Sequence, residues 1–151
     1  MFDDLDELYQ EVIIEHSRRP RHGRRLECFD ASAKGDNPMC GDRLELFVRH
    51  GPDGQIEDVG FEARGCAISV ASADLMAEVL RGRSDEEVLQ LAERFRELAR
   101  TGRSSVPADE ALETLQPLGG VHNYPSRVKC ATLAWHALIA ALQGRKEASS
   151  E

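Results

Sequence analysis

Hydrophobic and polar positions change period several times along the chain, and those changes outline its elements. Over residues 3–17, Leu5, Leu8, Tyr9, Val12 and Ile13 recur at helical spacing behind an acidic start that suits the positive end of a helix dipole. An amphipathic helix is predicted there. Three extended segments follow, at 27–34, 42–50 and 55–63. In the second, Leu44, Leu46 and Val48 alternate with polar residues and mark one buried face. Gly51-Pro52-Asp53-Gly54 supplies hairpin-turn chemistry between the second and the third. After Gly65 the spacing turns helical up to Gly82, which reads as a C-cap. Ser84, with Glu87 three residues on, forms a capping box that opens a helix running to Arg100. Residues 101–125 are loop-rich, with a short helical piece at 108–115. A last helix starts at Pro125-Ser126, carries Val128, Leu133, Trp135, Leu138, Ile139 and Leu142, and stops at Gly144.

Strands first and helices afterwards define an α+β class, here a small antiparallel three-stranded sheet with helices packed on one side. The chain has 151 residues, enough to bury a core without disulfide staples. The expected organisation is a single domain over residues 1–144, with residues 145–151 as a frayed tail.

Composition narrows the function classes. A net charge of -8 opposes a nucleic-acid or anionic-membrane role, because phosphate binding needs a concentrated positive field. No stretch approaches the roughly twenty apolar residues of a bilayer span. The acidic opening MFDDLDELYQ lacks the basic and apolar regions of a secretory signal, so a cytoplasmic location is expected. The run Arg18-Arg19-Pro20-Arg21-His22-Gly23-Arg24-Arg25 reads as an exposed basic loop.

Four cysteines remain to be explained: Cys28, Cys40, Cys66 and Cys130. In a reducing cytosol they are expected to stay free of disulfides. In GDNPMCGD, Gly35, Pro38 and Gly41 shape a tight turn with Cys40 at its tip. Residues two apart in extended backbone share a side, so Cys40 and Asp42 form a thiolate–carboxylate clamp. Cys66 follows Arg64-Gly65 where strand gives way to helix, near unpaired amide N–H groups that favour a thiolate. Cys130, early in the last helix beside Arg127 and Lys129, invites the same reading. Three thiolates and a carboxylate around one divalent ion leave a double negative charge, which Arg43, Arg64, Arg127 and Lys129 are placed in sequence to offset. From chemistry alone a shared metal site, buried thiols and a lone reactive cysteine all stay open. Cys28 reads as an ordinary strand residue. His16, His22, His50 and His136 read as surface or core residues and Trp135 as core; His122 reads the same way, with substitution for Asp42 as a ligand its lesser alternative.

The stretches GDNPMCGD, GFEARGCAISVASADLM and RVKCATLAWHAL resemble the three cysteine motifs of the IscU/NifU-type iron–sulfur cluster assembly family. Within it the chain most resembles the SufU branch. IscU-type scaffolds carry His before the third motif cysteine, whereas Lys129 stands here, and a protonated Lys has no lone pair for a metal. The interval from Cys66 to Cys130 also holds an extra segment of about twenty residues, enough for a helix plus a loop, placed at Glu86–Val106. In place of the Leu-Pro-Pro-Val-Lys chaperone motif the chain reads Leu118-Gly119-Gly120-Val121-His122, so the resemblance does not extend to handling by an Hsc-type chaperone.

The resemblance implies zinc bound by Cys40, Asp42, Cys66 and Cys130, with a SufS-type cysteine desulfurase as sulfur donor and downstream Suf assembly scaffolds as recipients. A desulfurase histidine would displace Cys40 from zinc and free it to accept persulfide sulfur. Arg127 would contact the desulfurase or the persulfide. Two other functions share this ligand set: a scaffold that holds iron or a [2Fe-2S] cluster, and a zinc-stabilised interaction module.

Overall fold

Each change of period corresponds to an element in the computed structural model, which describes residues 4–104 and 109–149, with side chains from residue 9 on. Residues 1–3, the side chains of Leu5 and Leu8, residues 105–108 and residues 150–151, all covered by expectations above, lie outside the described residues. The elements are α1 (Asp4–Arg18), β1 (Ala31–Asn37), β2 (Asp42–His50), β3 (Ile56–Arg64), α2 (Ala67–Leu80), α3 (Asp85–Thr101), α4 (Glu110–Leu115), a 3-10 segment (Gln116–Asn123), α5 (Pro125–Leu142) and β4 (Glu147–Ser149).

The sheet has the order β3-β2-β1-β4. Its first three strands pair antiparallel, as the alternation predicts, and β4 joins β1 in parallel. The expected three-stranded antiparallel sheet is therefore a four-stranded mixed one. Residues 147–149, read as tail, close its edge because α5 ends beside β1 and Gly144, at φ +76°, turns the chain back along it.

Leu44, Leu46 and Val48 of β2 point into the core with Val59 and Phe61 of β3, and α2 and α5 cover that face. Gly35 lies within β1, not in the turn where the sequence reading put it. A Cβ there would meet Leu133 Cδ1 at 3.2 Å, so its absence lets α5 approach the strand.

The opposite face is partly covered by loop. Phe47, outward by alternation, is buried under Phe29 at 4.9 Å between ring centroids, with the Arg25 guanidinium 4.7 Å from its own. The chain crosses at Gly60, where a Cβ would stand 2.3 Å from Arg24 O. This crossing delays β1 to Ala31, so Cys28 is an exposed loop residue and not a strand residue. The basic run is exposed as expected, and three of its arginines also pair with carboxylates: Arg21 with Glu78, Arg24 with Asp58 and Arg25 with Glu45.

The long interval between Cys66 and Cys130 contains α3, which opens on the expected capping box of Ser84 and Glu87 and ends at Gly102 in the left-handed region. Its apolar stripe of Val88, Leu91, Phe95 and Leu98 is buried, and Phe95 stacks on Trp135 of α5 at 4.8 Å. His16 is a satisfied core residue, its Nδ1 2.5 Å from Asp74 Oδ2 between α1 and α2. Among the described residues no helix is long and apolar enough to cross a membrane.

His50, at the end of β2, joins three elements. Its Nδ1 stands 2.6 Å from Asp30 Oδ2 and its Nε2 2.7 Å from Asp85 Oδ1 at the start of α3. Burial disfavours the imidazolium, but Asp85 and Asp30 outweigh it and raise the pKa. Burial likewise opposes ionisation of Asp30, whose pKa is nonetheless lowered by hydrogen bonds from His50. A raised histidine stabilises fully below its unfolded pKa and less as pH rises through the folded one. A depressed aspartate stabilises above its unfolded pKa and less as pH falls through the folded one. His50→Gln is therefore expected to cost about 1–2 kcal/mol near pH 6, with exposure of both aspartates limiting the loss. In urea unfolding the difference from the parent protein should shrink at pH 9; a cost independent of pH would refute the charged bridge.

Candidate metal centre

At the β1–β2 connection Asn37 pairs with Asp42, and Pro38–Gly41 form the turn between them. Asn37 O accepts from Cys40 N–H at 3.3 Å and from Gly41 N–H at 2.9 Å, and Gly41 takes φ +73°. Cys40 is thus an exposed turn residue. It meets Asp42 because the turn folds back, not because both lie on one face of an extended strand.

Asp42 is fully buried. Its Oδ1 accepts the Cys66 N–H at 2.9 Å, which ties the hairpin to the N-cap of α2. Its Oδ2 accepts from Asn37 Nδ2 at 3.3 Å and stands 4.0 Å from Cys66 Sγ. Burial by itself would raise the Asp42 pKa. The Cys66 N–H, followed by Cys130, Ser69 and Asn37, reverses this and holds the carboxyl below the usual carboxylate range.

Cys130 is the sixth residue of α5 and fully buried. Its Sγ is 3.6 Å from Cys40 Sγ, 3.7 Å from Asn37 Nδ2 and 3.5 Å from Ser126 O. The sequence reading expected this thiol to ionise readily. In fact its pKa is pushed up, first by burial and then by Asp42, Cys40 and Cys66. A position in the second turn is too far along the helix for the dipole to compensate.

The ligand atoms of Cys40, Asp42 and Cys130 all lie within 4.8 Å of one another. Cys66 sits at the rim, its Sγ also 3.8 Å from Ser69 Oγ, and Ser69 donates to Cys130 O at 3.3 Å. Zinc–sulfur bonds of about 2.3 Å put two sulfurs of a tetrahedron about 3.8 Å apart, close to the Cys40–Cys130 separation. The donor set fits zinc or iron. Were all of these groups ionised together, a cation among them would offset their mutual repulsion.

The four basic residues expected to offset that charge are placed differently. Arg127 is the one whose guanidinium feels the sulfurs: a hydrogen bond with Cys130, then the charges of Cys66 and Cys130, raise its pKa. Lys129 Nζ donates to Met39 Sδ at 3.3 Å, and Arg43 pairs with Asp36 at 3.6 Å. Arg64 is exposed opposite Arg43. His122 is not among the clustered ligand atoms; its Nδ1 donates to Gly119 O and its ring packs on Gly102.

Three residues that shape this centre escaped the sequence reading. Ser69, one helical turn after Cys66, was legible from spacing alone. Asn37 was not, because the first strand was ended at residue 34 and its pairing with Asp42 stayed hidden. Gly65 was read as a boundary, yet a Cβ there would stand 2.3 Å from Asp42 Oδ1.

The chain belongs to the family of the NifU-like N terminal domain, whose family model matches residues 8–147. It is 41% identical over 139 residues to the iron–sulfur cluster assembly scaffold protein IscU of Streptococcus pyogenes serotype M1, covering 92% of this chain and 85% of that protein. It is 38% identical over 136 residues to the zinc-dependent sulfurtransferase SufU of Bacillus subtilis, covering 89% of each. A solved structure from Fervidobacterium islandicum AW-1, described as an iron–sulfur cluster assembly scaffold for the SUF system, superposes with a TM-score of 0.79. That structure is 32% identical, and the match covers 90% of this chain and 97% of that one. This is the IscU/SufU family of iron–sulfur cluster assembly proteins.

Gly65→Ala is expected to displace the Asp42 carboxylate and break its bond with the Cys66 N–H, at a cost of about 1–3 kcal/mol for the buried group left unpaired. Thermal denaturation checks this; a Tm equal to that of the parent protein would show that the approach is not constraining.

Proposed function

We propose that this chain is a zinc-dependent sulfurtransferase that accepts persulfide sulfur from a SufS-type cysteine desulfurase in the cytoplasm and hands it to downstream Suf assembly scaffolds. The observation that carries the reading is the unequal exposure of the sulfurs. Cys40 is exposed on a turn, whereas Cys130, 3.6 Å away, is fully buried. A partner protein reaches the first and not the second.

Cys40, Asp42, Cys66 and Cys130 would hold the zinc. Bound zinc keeps thiols deprotonated at neutral pH and is itself redox-inert. In the transfer, the Cys40 thiolate attacks the outer sulfur of the desulfurase cysteine persulfide. A sulfur–sulfur bond forms at Cys40, the one in the desulfurase breaks, and its electron pair leaves with the desulfurase cysteine as a thiolate. Electrons balance without an external oxidant or reductant. Arg127 stands where it can neutralise the anionic persulfide, and Met39, held by Lys129, offers an exposed apolar contact beside Cys40.

A second reading, a scaffold for a [2Fe-2S] cluster on the same four residues, is favoured by the likeness to the streptococcal IscU. Lys129 supports the first reading, because its ammonium engages Met39 and has no lone pair for iron.

Mixing the purified protein with desulfurase and cysteine distinguishes these readings. The expected result is accelerated sulfide release and a persulfide on Cys40 by mass spectrometry, both abolished in Cys40→Ala. Normal activation by a folded Cys40→Ala protein would leave only the zinc-stabilised interaction module. A stable cluster that passes to an apo-acceptor, with zinc inhibiting, would favour the scaffold.

Zinc content is also expected to fall as pH is lowered, since the thiolate ligands must be deprotonated to bind. Metal analysis after dialysis at stepped pH reads this out. Zinc retained unchanged into strong acid would contradict thiolate ligation.

A further inference from the structure

Asn37 closes β1 directly opposite Asp42 and is fully buried. Its Nδ2 carries two N–H bonds, and two acceptors face it: Asp42 Oδ2 at 3.3 Å and Cys130 Sγ at 3.7 Å. Its Oδ1 is also buried and finds no hydrogen-bond partner among the described residues.

The two ends of an amide are distinguished by what surrounds them. A carboxylate and a metal-bound thiolate are both acceptors only, so the loaded centre demands the nitrogen end. The reverse orientation would set the amide oxygen against two anionic groups. The outward cost is the orphaned Oδ1, a buried acceptor that contributes nothing to the fold. An apolar side chain would serve packing as well without that cost. The benefit of asparagine must therefore lie in what its NH2 group does for Asp42 and Cys130.

We propose that Asn37 is a positioning residue of the metal centre, whose side-chain NH2 holds Asp42 Oδ2 and Cys130 Sγ at the spacing required by one cation. This rests on the metal-centre reading above and deepens it. The two groups that Asn37 grips are both fully buried, whereas Cys40, the exposed sulfur, makes no bond with its side chain. The centre thereby divides into an anchored part and a mobile part. When a partner draws Cys40 away, Asn37 keeps the buried carboxylate and thiolate in register and the ion stays with this chain. Partial donation from two N–H bonds also disperses the negative charge that these ligands accumulate, as outer hydrogen bonds do around metal sites.

The test uses the full-length protein and reads the metal directly. Asn37→Ala is expected to fold with a modestly lower apo Tm, because Asp42 Oδ2 loses one of its donors. Its affinity for zinc, measured by competition with a chromophoric chelator, should be about 10–100-fold weaker. The thiolate-to-cobalt charge-transfer band of the cobalt(II) form should shift as the geometry relaxes. Asn37→Asp, which keeps the shape but has no N–H to donate, should lose at least as much affinity. As a purely structural control, Ser72→Ala removes a bond from Ser72 Oγ to Ala131 O between α2 and α5 and should lower the Tm without moving the cobalt band. Unchanged zinc affinity and an unchanged cobalt spectrum in Asn37→Ala would overturn the proposal. Should that variant fail to fold, NMR of the parent protein decides: the Asn37 side-chain NH2 resonances must shift on adding cadmium and exchange slowly with water. Resonances unmoved by the metal would overturn the assignment. Failure of the parent protein to accept persulfide while it still binds cobalt would defeat the sulfurtransferase reading and leave the role of Asn37 intact.

Discussion

A single buried carboxylate organises this end of the molecule. Asp42 has no access to water, so its charge has to be met by donors from the protein. These come from three directions: the Cys66 N–H at the start of α2, Asn37 at the end of β1, and the thiol of Cys130 in α5. An unpaired buried charge costs several kcal/mol, so the buried carboxylate is tolerated only with these donors in place.

The spacing of the elements is set by what is missing from two positions. Gly35 lets α5 settle onto β1 against Leu133, which delivers Cys130 over the hairpin end. Gly65 lets the chain pass close enough to Asp42 for the following amide to bond with it. Either glycine enlarged by one carbon would require the carboxylate or the helix to move. The site is thus built by backbone approach first, with the side chains occupying the space that remains.

Much of this was legible in the sequence, and the failures have physical causes. The hairpin of β2 and β3, the capping box of α3 and the helix of Cys130 follow from local periodicity and turn chemistry, which the sequence states directly. The first strand was misplaced by a few residues because Glu27–Asp30 is extended-looking but is drawn across the outer face, where Phe29 covers Phe47. β4 was missed because a three-residue strand is stabilised by its neighbour and carries no period of its own. The motif resemblance named four candidate ligands, yet the sequence could not show that the Cys130 thiol resists ionisation. Burial among Asp42, Cys40 and Cys66 is a property of the assembled site.

The gradient of exposure across the four candidate ligands bears on what the centre is for. Asp42 and Cys130 are sealed, Cys66 is half-buried, and Cys40 stands in solvent on a turn whose backbone is held by Asn37. A centre evolved only to stabilise folding gains nothing from leaving one ligand open to attack, since every exposed thiolate invites oxidation and exchange. Unequal exposure has a use when one sulfur must leave and return while the remainder keep the ion. The neighbouring charges point the same way, because Arg127 faces the sulfurs while Lys129 is turned to Met39 beside the turn. A cation that meets the thiolates and another that steadies the flank of Cys40 suit a centre which receives an anionic sulfur species at that residue.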